Sequence, residues 1–171
     1  FIGENIFYQV SPDGFEIRLA SEAELDNYFD SIRPTTTSYP ERDLSHTTIR
    51  PFNSIAFSDT NGFGGKTTNL SVLHDLMPDK APFGYGVPFY FYDEFMKHNG
   101  YYAEATAMIA EEDFQNDPAI REQRLKDFRK RIKTESSFPT WMISALTDLQ
   151  NSFPPEVTPR LRSSANAEDS V

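Results

Sequence analysis

Asn61-Gly62-Phe63-Gly64-Gly65-Lys66-Thr67-Thr68-Asn69-Leu70 is the stretch on which the reading of this chain turns. Glycines let backbone N–H groups approach a phosphate closely, and a lysine at the start of a helix adds positive charge there. The segment therefore invites a P-loop reading, but its spacing fails, because Thr60 stands where a Walker A loop requires its first glycine. No later strand of apolar residues ending in aspartate is present to hold magnesium. The plainer alternative is a tight turn made by the glycines, with Lys66 solvated beside it.

Working outward, residues 52–57 read as a short strand, 59–65 as a glycine-rich loop and 66–77 as a helix with Leu70, Leu73, Leu76 and Met77 on one face. Gly86, Val87 and Pro88 lead into a second helix over residues 89–99, with Gly100 as its stop and an aromatic content that predicts burial. Asp117-Pro118 is an N-cap and first-turn pair opening a charged helix to about Lys133, whose packing side is Ile120, Leu125, Phe128 and Ile132. Residues 139–151 form a further amphipathic helix, and residues 158–163 read as a strand.

Upstream, two β-prone runs flank Ser11-Pro12-Asp13-Gly14, so residues 5–20 form a hairpin. Ser21 caps the helix that follows, Glu24 completes a capping box, Leu25, Tyr28, Phe29 and Ile32 supply the apolar stripe, and Pro34 ends it. Residues 34–50 lack periodicity and read as a linker. The expected organisation is an α+β chain with a hairpin and helix unit in residues 1–50 and a main unit in residues 51–171.

At 171 residues and 38% hydrophobic content the chain can bury one core. Its 26 acidic against 16 basic residues give a net charge of −10, which argues against nucleic acid as a partner, since phosphate neutralisation requires clustered lysine and arginine. Without cysteine there is no disulfide framework and no thiolate metal site; a reducing cytoplasm is compatible. Apolar runs are far shorter than the roughly 20 residues that span a bilayer, so no membrane span is expected. Asn69-Leu70-Ser71 matches a glycosylation acceptor, but no signal peptide accompanies it. The chain begins at Phe1 and stops just after Arg162-Ser163-Ser164-Ala165-Asn166-Ala167-Glu168-Asp169, so the expectation is a fragment of a longer protein.

Three segments carry a resemblance in their order: Gly64-Gly65-Lys66-Thr67-Thr68-Asn69-Leu70, then Gly86-Val87-Pro88-Phe89 with Tyr92-Asp93-Glu94-Phe95, then Arg160 through Asp169. Together they resemble the N-terminal part of the ATP-binding domain of the phosphoenolpyruvate synthase and pyruvate phosphate dikinase family, over roughly residues 52 to 171. That family has a GGKxxNL segment, a VPxGF-type segment and an RSSAxAED segment in succession. The resemblance implies the first lobe of an ATP-grasp-like fold, with ATP as ligand and phosphoryl transfer to a histidine on a separate domain. By motif, Lys66 and Arg162 would contact the ATP phosphates, and Gly64 and Gly65 would bind the nucleotide with them. Magnesium would be bound mainly outside this chain, and the missing second lobe and phosphocarrier histidine domain would be its partners. The isolated chain is therefore expected not to turn over, and the resemblance extends to rifampicin phosphotransferase and the glucan water dikinases.

This chain departs from the family pattern in two places. Val87-Pro88-Phe89-Tyr90-Phe91 lacks the glycine after the proline, and Thr67-Thr68 replaces the usual alanine pair. These departures keep a rival reading open, a noncatalytic binding module with the same fold. Ser163 and Ser164 read as hydrogen-bonding spacers, and Glu168 and Asp169 as structural carboxylates. His46, His74 and His98 are scattered and read as packing or surface residues. The basic helix after Pro118 reads as a solvated face, with docking to an acidic partner as its functional alternative.

Overall fold

A computed structural model describes residues 3–33 and 40–166, which separate into two compact units on either side of residues 39 and 40. It is a mostly helical α+β structure. In the first unit, β1 (Ile6–Ser11) and β2 (Gly14–Leu19) pair antiparallel, as the turn sequence requires. The register sets Ile6 opposite Leu19, Tyr8 opposite Ile17 and Val10 opposite Phe15, so the apolar side chains share one face. The helix α1 (Glu22–Ile32) starts with the expected capping box: the Ser21 side chain accepts from Glu24 N–H, and Glu24 Oε2 accepts from Ser21 N–H at 2.9 Å. A two-pronged contact from Arg18 to Glu24, at 2.6 and 2.8 Å, ties β2 to α1. Pro34 lies outside the described residues.

The second unit begins ahead of the expected boundary at residue 50. Residues 40–50 lack periodicity, yet they are held by specific polar contacts. Asp43 N–H donates to Asn61 O at 2.8 Å, Asn166 Nδ2 donates to Pro40 O at 3.0 Å, and Arg42 Nη1 donates to Tyr102 Oη at 2.7 Å. Hydrogen bonding of this kind leaves no periodic trace, so the segment reads as linker.

Residues 52–57 do not form the expected strand. After the short β3 (Arg50–Pro51) the chain makes two 3-10 turns, Phe52–Ser54 and Phe57–Asp59. Phe52 and Ile55 are both buried, a spacing that one helical turn satisfies and an alternating strand does not. Ser54 Oγ donates to Pro51 O at 2.9 Å, and Asp59 Oδ2 accepts from Ala56 N–H at 3.0 Å. The glycine-rich segment also contains one helical turn, α2 (Thr60–Phe63), before α3 (Gly65–Leu76) begins.

Further on, β4 (Tyr85–Gly86) pairs with β3, and α4 (Phe89–His98) ends at Gly100, whose φ of 72° turns the chain into α5 (Tyr101–Ala110). Two elements follow that the sequence pattern does not announce, α5 itself and α6 (Glu112–Asn116). Asp117 then caps α7 (Pro118–Thr134) as expected, accepting from Ala119 N–H at 2.8 Å and Ile120 N–H at 3.3 Å. No residue of α7 is buried; Phe128 and Ile132 are half-buried, while Ile120 and Leu125 are exposed. Its basic residues pair locally, Arg124 with Glu111, Arg131 with Glu104 and Glu135, and Lys126 with Glu122, which fits a solvated face. The last helix, α8 (Thr140–Asn151), buries Met142. Residues 158–163 form no strand; they are exposed and have no ladder partner among the described residues.

Aromatic rings join the helices, with Phe91 against Trp141 at 5.0 Å, Phe95 against Phe138 at 5.1 Å and Tyr101 against Phe128 at 5.6 Å. One carboxylate is buried among them. Asp93 is 3% exposed; its Oδ1 accepts from Tyr102 Oη at 2.9 Å, and Lys97 Nζ lies 2.7 Å from Oδ2. That second contact is a charge pairing outside hydrogen-bond alignment. Arg42 lies 3.6 Å away. Burial would raise the Asp93 pKa, but Lys97, Tyr102 and Arg42 together outweigh it and hold the carboxyl below its ordinary value.

A carboxyl held lower in the folded than in the unfolded state stabilises fully above its ordinary range and loses that contribution as pH falls through its folded value. Replacing Asp93→Asn is expected to cost about 2 kcal/mol at neutral pH. In thermal unfolding, the gap between wild type and variant should shrink steadily below about pH 4.

Candidate functional site

The segments singled out in the sequence meet around the start of α3. Gly64, between α2 and α3, has φ 85° and ψ 157°, a backbone region open essentially to glycine alone. Its missing side chain leaves room for the Ser164-Ala165 backbone: a methyl carbon on Gly64 would lie 2.3 Å from Ser164 Oγ and 2.8 Å from Ala165 N. Two hydrogen bonds close this contact. Gly65 N–H donates to Ala165 O at 3.1 Å, and Thr67 N–H donates to Ser164 Oγ at 3.2 Å.

Gly86 brings in the middle segment. A methyl carbon there would lie 2.6 Å from Ile55 Cδ1, 2.7 Å from Thr67 Cγ2 and 2.9 Å from Phe63 Cδ1. The β4 backbone thus closes directly on α3 and on the core of Phe52, Ile55 and Phe63. Pro88, one of the most deeply buried side chains, sets the start of α4 from the same side.

The inner face of α3 differs from the expected apolar stripe. Leu73, Leu76 and Met77 are exposed and Leu70 is half-buried, while Thr68 and Ser71 are fully buried. Ser71 Oγ reaches the carbonyls of Phe52, at 2.5 Å, and Ile55. Thr68 Oγ1 lies 3.1 Å from Thr60 Oγ1 and donates toward Gly64 O at 3.3 Å and Gly65 O at 3.2 Å. Phe52 O and Gly64 O already accept from the Ile55 and Thr68 amides, at 3.0 and 3.2 Å, so the buried hydroxyls of Thr68 and Ser71 are second donors to inward-facing carbonyls, on a face where leucines were expected.

Of the expected phosphate contacts, Lys66 is exposed in the first turn of α3, and Arg162 is exposed two residues before Ser164. Arg162 makes no ion pair or side-chain hydrogen bond among the described residues. Gly64 is buried and Gly65 half-buried beneath the Ser164-Ala165 crossing. Glu168 and Asp169 lie outside the described residues. Among the described residues, no group of three His, Asp or Glu side chains is placed to hold a metal.

The P-loop alternative needs free amides and a free hydroxyl at this helix start. Here the Gly65 and Thr67 amides are bonded to the chain itself, and the Thr67 methyl packs at Gly86. His46 behaves as a packing residue: its ring lies 5.1 Å from that of Phe63, close over Gly62, with Asp43 at 3.4 Å and Asp59 at 3.8 Å. His98 lies 3.1 Å from Ser137 Oγ, and the His74 ring stands edge-on to Phe83.

The sequence reading gave Ser164 a hydrogen-bonding role without naming Thr67 as its partner. Thr68 and Ser71 were missed as buried donors. Their signal in the sequence is faint: small hydroxyl residues at Thr68 and Ser71, a helical spacing apart, behind a glycine pair.

Compared with known proteins, the chain matches no family model, no curated protein and no solved structure. No helix among the described residues is long and apolar enough to cross a membrane.

Gly64→Ala is expected to destabilise the second unit by about 3 kcal/mol, from backbone strain and from overlap with Ser164. Hydrogen exchange should show the Gly65 and Thr67 amides losing protection in the variant, while the amides of α7 keep theirs.

Proposed function

We propose that residues 51–171 are the first lobe of an ATP-binding domain of the phosphoenolpyruvate synthase and pyruvate phosphate dikinase type, a piece of an ATP-dependent phosphotransferase. The observation that supports this reading is the meeting of the three family-like segments, Gly64 to Thr68, Gly86 and Ser164-Ala165, at one helix start. They are far apart in sequence.

The donor chemistry suits the phosphate end of ATP. Lys66 offers a mobile point charge, and Arg162 a planar fork able to bind two phosphate oxygens. Because the Gly65 and Thr67 amides are already bonded to the Ser164 and Ala165 strip, the anion would be met by these side chains and not by the bare helix terminus. The role of Gly64 is then to let the two strips approach, and that of Ser164 to hold Arg162 at a fixed offset from Lys66. ATP supplies the phosphoryl group that such a parent transfers to a histidine on a separate domain. Magnesium would be held mainly by residues beyond this chain, and a cytoplasmic setting fits a chain without cysteine.

The loss of glycine after Pro88 favours a second reading, a binding module that keeps this fold without nucleotide chemistry. Titration with magnesium-ATP, followed by backbone amide shifts, separates the alternatives. The proposal expects concerted shifts around Gly64 to Thr68 and around Arg162, with Lys66→Ala and Arg162→Ala each weakening binding about tenfold. Shifts confined to the α3 start and unaffected by Arg162→Ala would favour a P-loop-like site. No shift at millimolar nucleotide, in this chain and in its full-length parent, would leave the noncatalytic module.

A further inference from the structure

Away from the α3 start, the second unit contains a cavity of about 410 Å³ between residues 47–49, β4, α4 and α8. Its wall carries the aromatic side chains of Tyr85, Phe91 and Trp141, with hydroxyls from Thr47 and Ser152 and one carboxylate, Asp148. The volume falls within the range of small-molecule sites, and an apolar lining with a few polar groups is their usual composition. The nucleotide reading makes no use of this cavity.

The lining is selective in its charge. No lysine, arginine or histidine lines it, and Asp148 makes no ion pair or side-chain hydrogen bond among the described residues. The rings pack on one another and on neighbouring rings, with Trp141 5.0 Å from Phe91 and 5.7 Å from Tyr90, and Tyr85 5.5 Å from Phe153. Packed aromatic rings and an unpaired carboxylate around one space are the elements that recognise an organic cation, through attraction to ring faces and charge pairing.

We propose that this cavity is a binding site for a small organic cation, an alkyl- or arylammonium ligand, seated among Tyr85, Phe91 and Trp141 with its charge toward Asp148. The site is independent of the nucleotide reading, and either can fail without the other.

Trp141 is the single tryptophan of the chain, so its fluorescence reports directly on the cavity. The probe is benzyltrimethylammonium, with benzyl alcohol as the neutral comparison. The expected result is a saturable change in Trp141 emission with the cation and a much weaker response to the alcohol. Asp148→Asn, at an exposed position whose side chain has no partner among the described residues, should weaken cation binding about tenfold and leave the response to the alcohol unchanged. Glu112→Gln on α6 has the same effect on net charge and should bind the cation as wild type does. Absence of a saturable change, equal binding by wild type and Asp148→Asn, or equal weakening by Glu112→Gln would each overturn the proposal; the last would mean attraction to an acidic protein in general.

Discussion

At Gly64 the chain must leave one helical turn and start another through a backbone conformation that tolerates no side chain, and the space so left is filled by Ser164 and Ala165. Much of the second unit follows from that crossing. The amides of Gly65 and Thr67 are satisfied by the C-terminal strip, so α3 starts in a fixed orientation. That orientation points the Thr67 methyl at Gly86 and sets the Thr68 and Ser71 hydroxyls against inward-facing carbonyls. Two glycines and three hydroxyl residues thereby achieve what a leucine face achieves in an ordinary amphipathic helix. The result is closer backbone packing, because small side chains allow it, at the cost of demanding a donor for every buried carbonyl.

A second constraint is electrostatic. Asp93 is the carboxylate buried within the aromatic layer of α4 and α5, and it is tolerated because Lys97, Tyr102 and Arg42 surround it. Arg42 comes from the polar stretch ahead of β3, so the network also fixes residues 40–50 to the helices. Two basic residues of α7 are also paired, Arg124 with Glu111 and Arg131 with Glu104 and Glu135. These pairs, with the Phe128 ring against Tyr101, hold in place a helix that has no buried residue.

Chemical potential is therefore concentrated in two different places. At the α3 start, glycines and hydroxyls hold exposed Lys66 on one strip and exposed Arg162 on the other, a cationic pair of segments in an acidic protein. The cavity beside α8 is lined by aromatic rings and Asp148, with no basic group among the described residues that line it. The proposed phosphate site and the proposed cation site thus lie in different parts of the second unit.

Local features were legible in the sequence wherever a residue acts on its own neighbours. The hairpin turn, the Ser21 and Glu24 box, the Asp117-Pro118 start and the Gly100 stop are contacts within a few residues, and side-chain chemistry alone determines them. The grouping of Gly64 to Thr68, Gly86 and Ser164 was legible as a resemblance, but not as a contact. What only the tertiary structure decided were features set by distant partners. Residues 52–57 turn instead of extending, burying Phe52 and Ile55 while Ser71, from α3, reaches the carbonyls of both. Residues 40–50 join the second unit through single hydrogen bonds without periodicity, and residues 158–163 stay out of any sheet for want of a neighbouring strand. Periodicity records which side of an element is apolar. It cannot record where a backbone carbonyl will need a hydroxyl, since that need arises only when two distant segments meet.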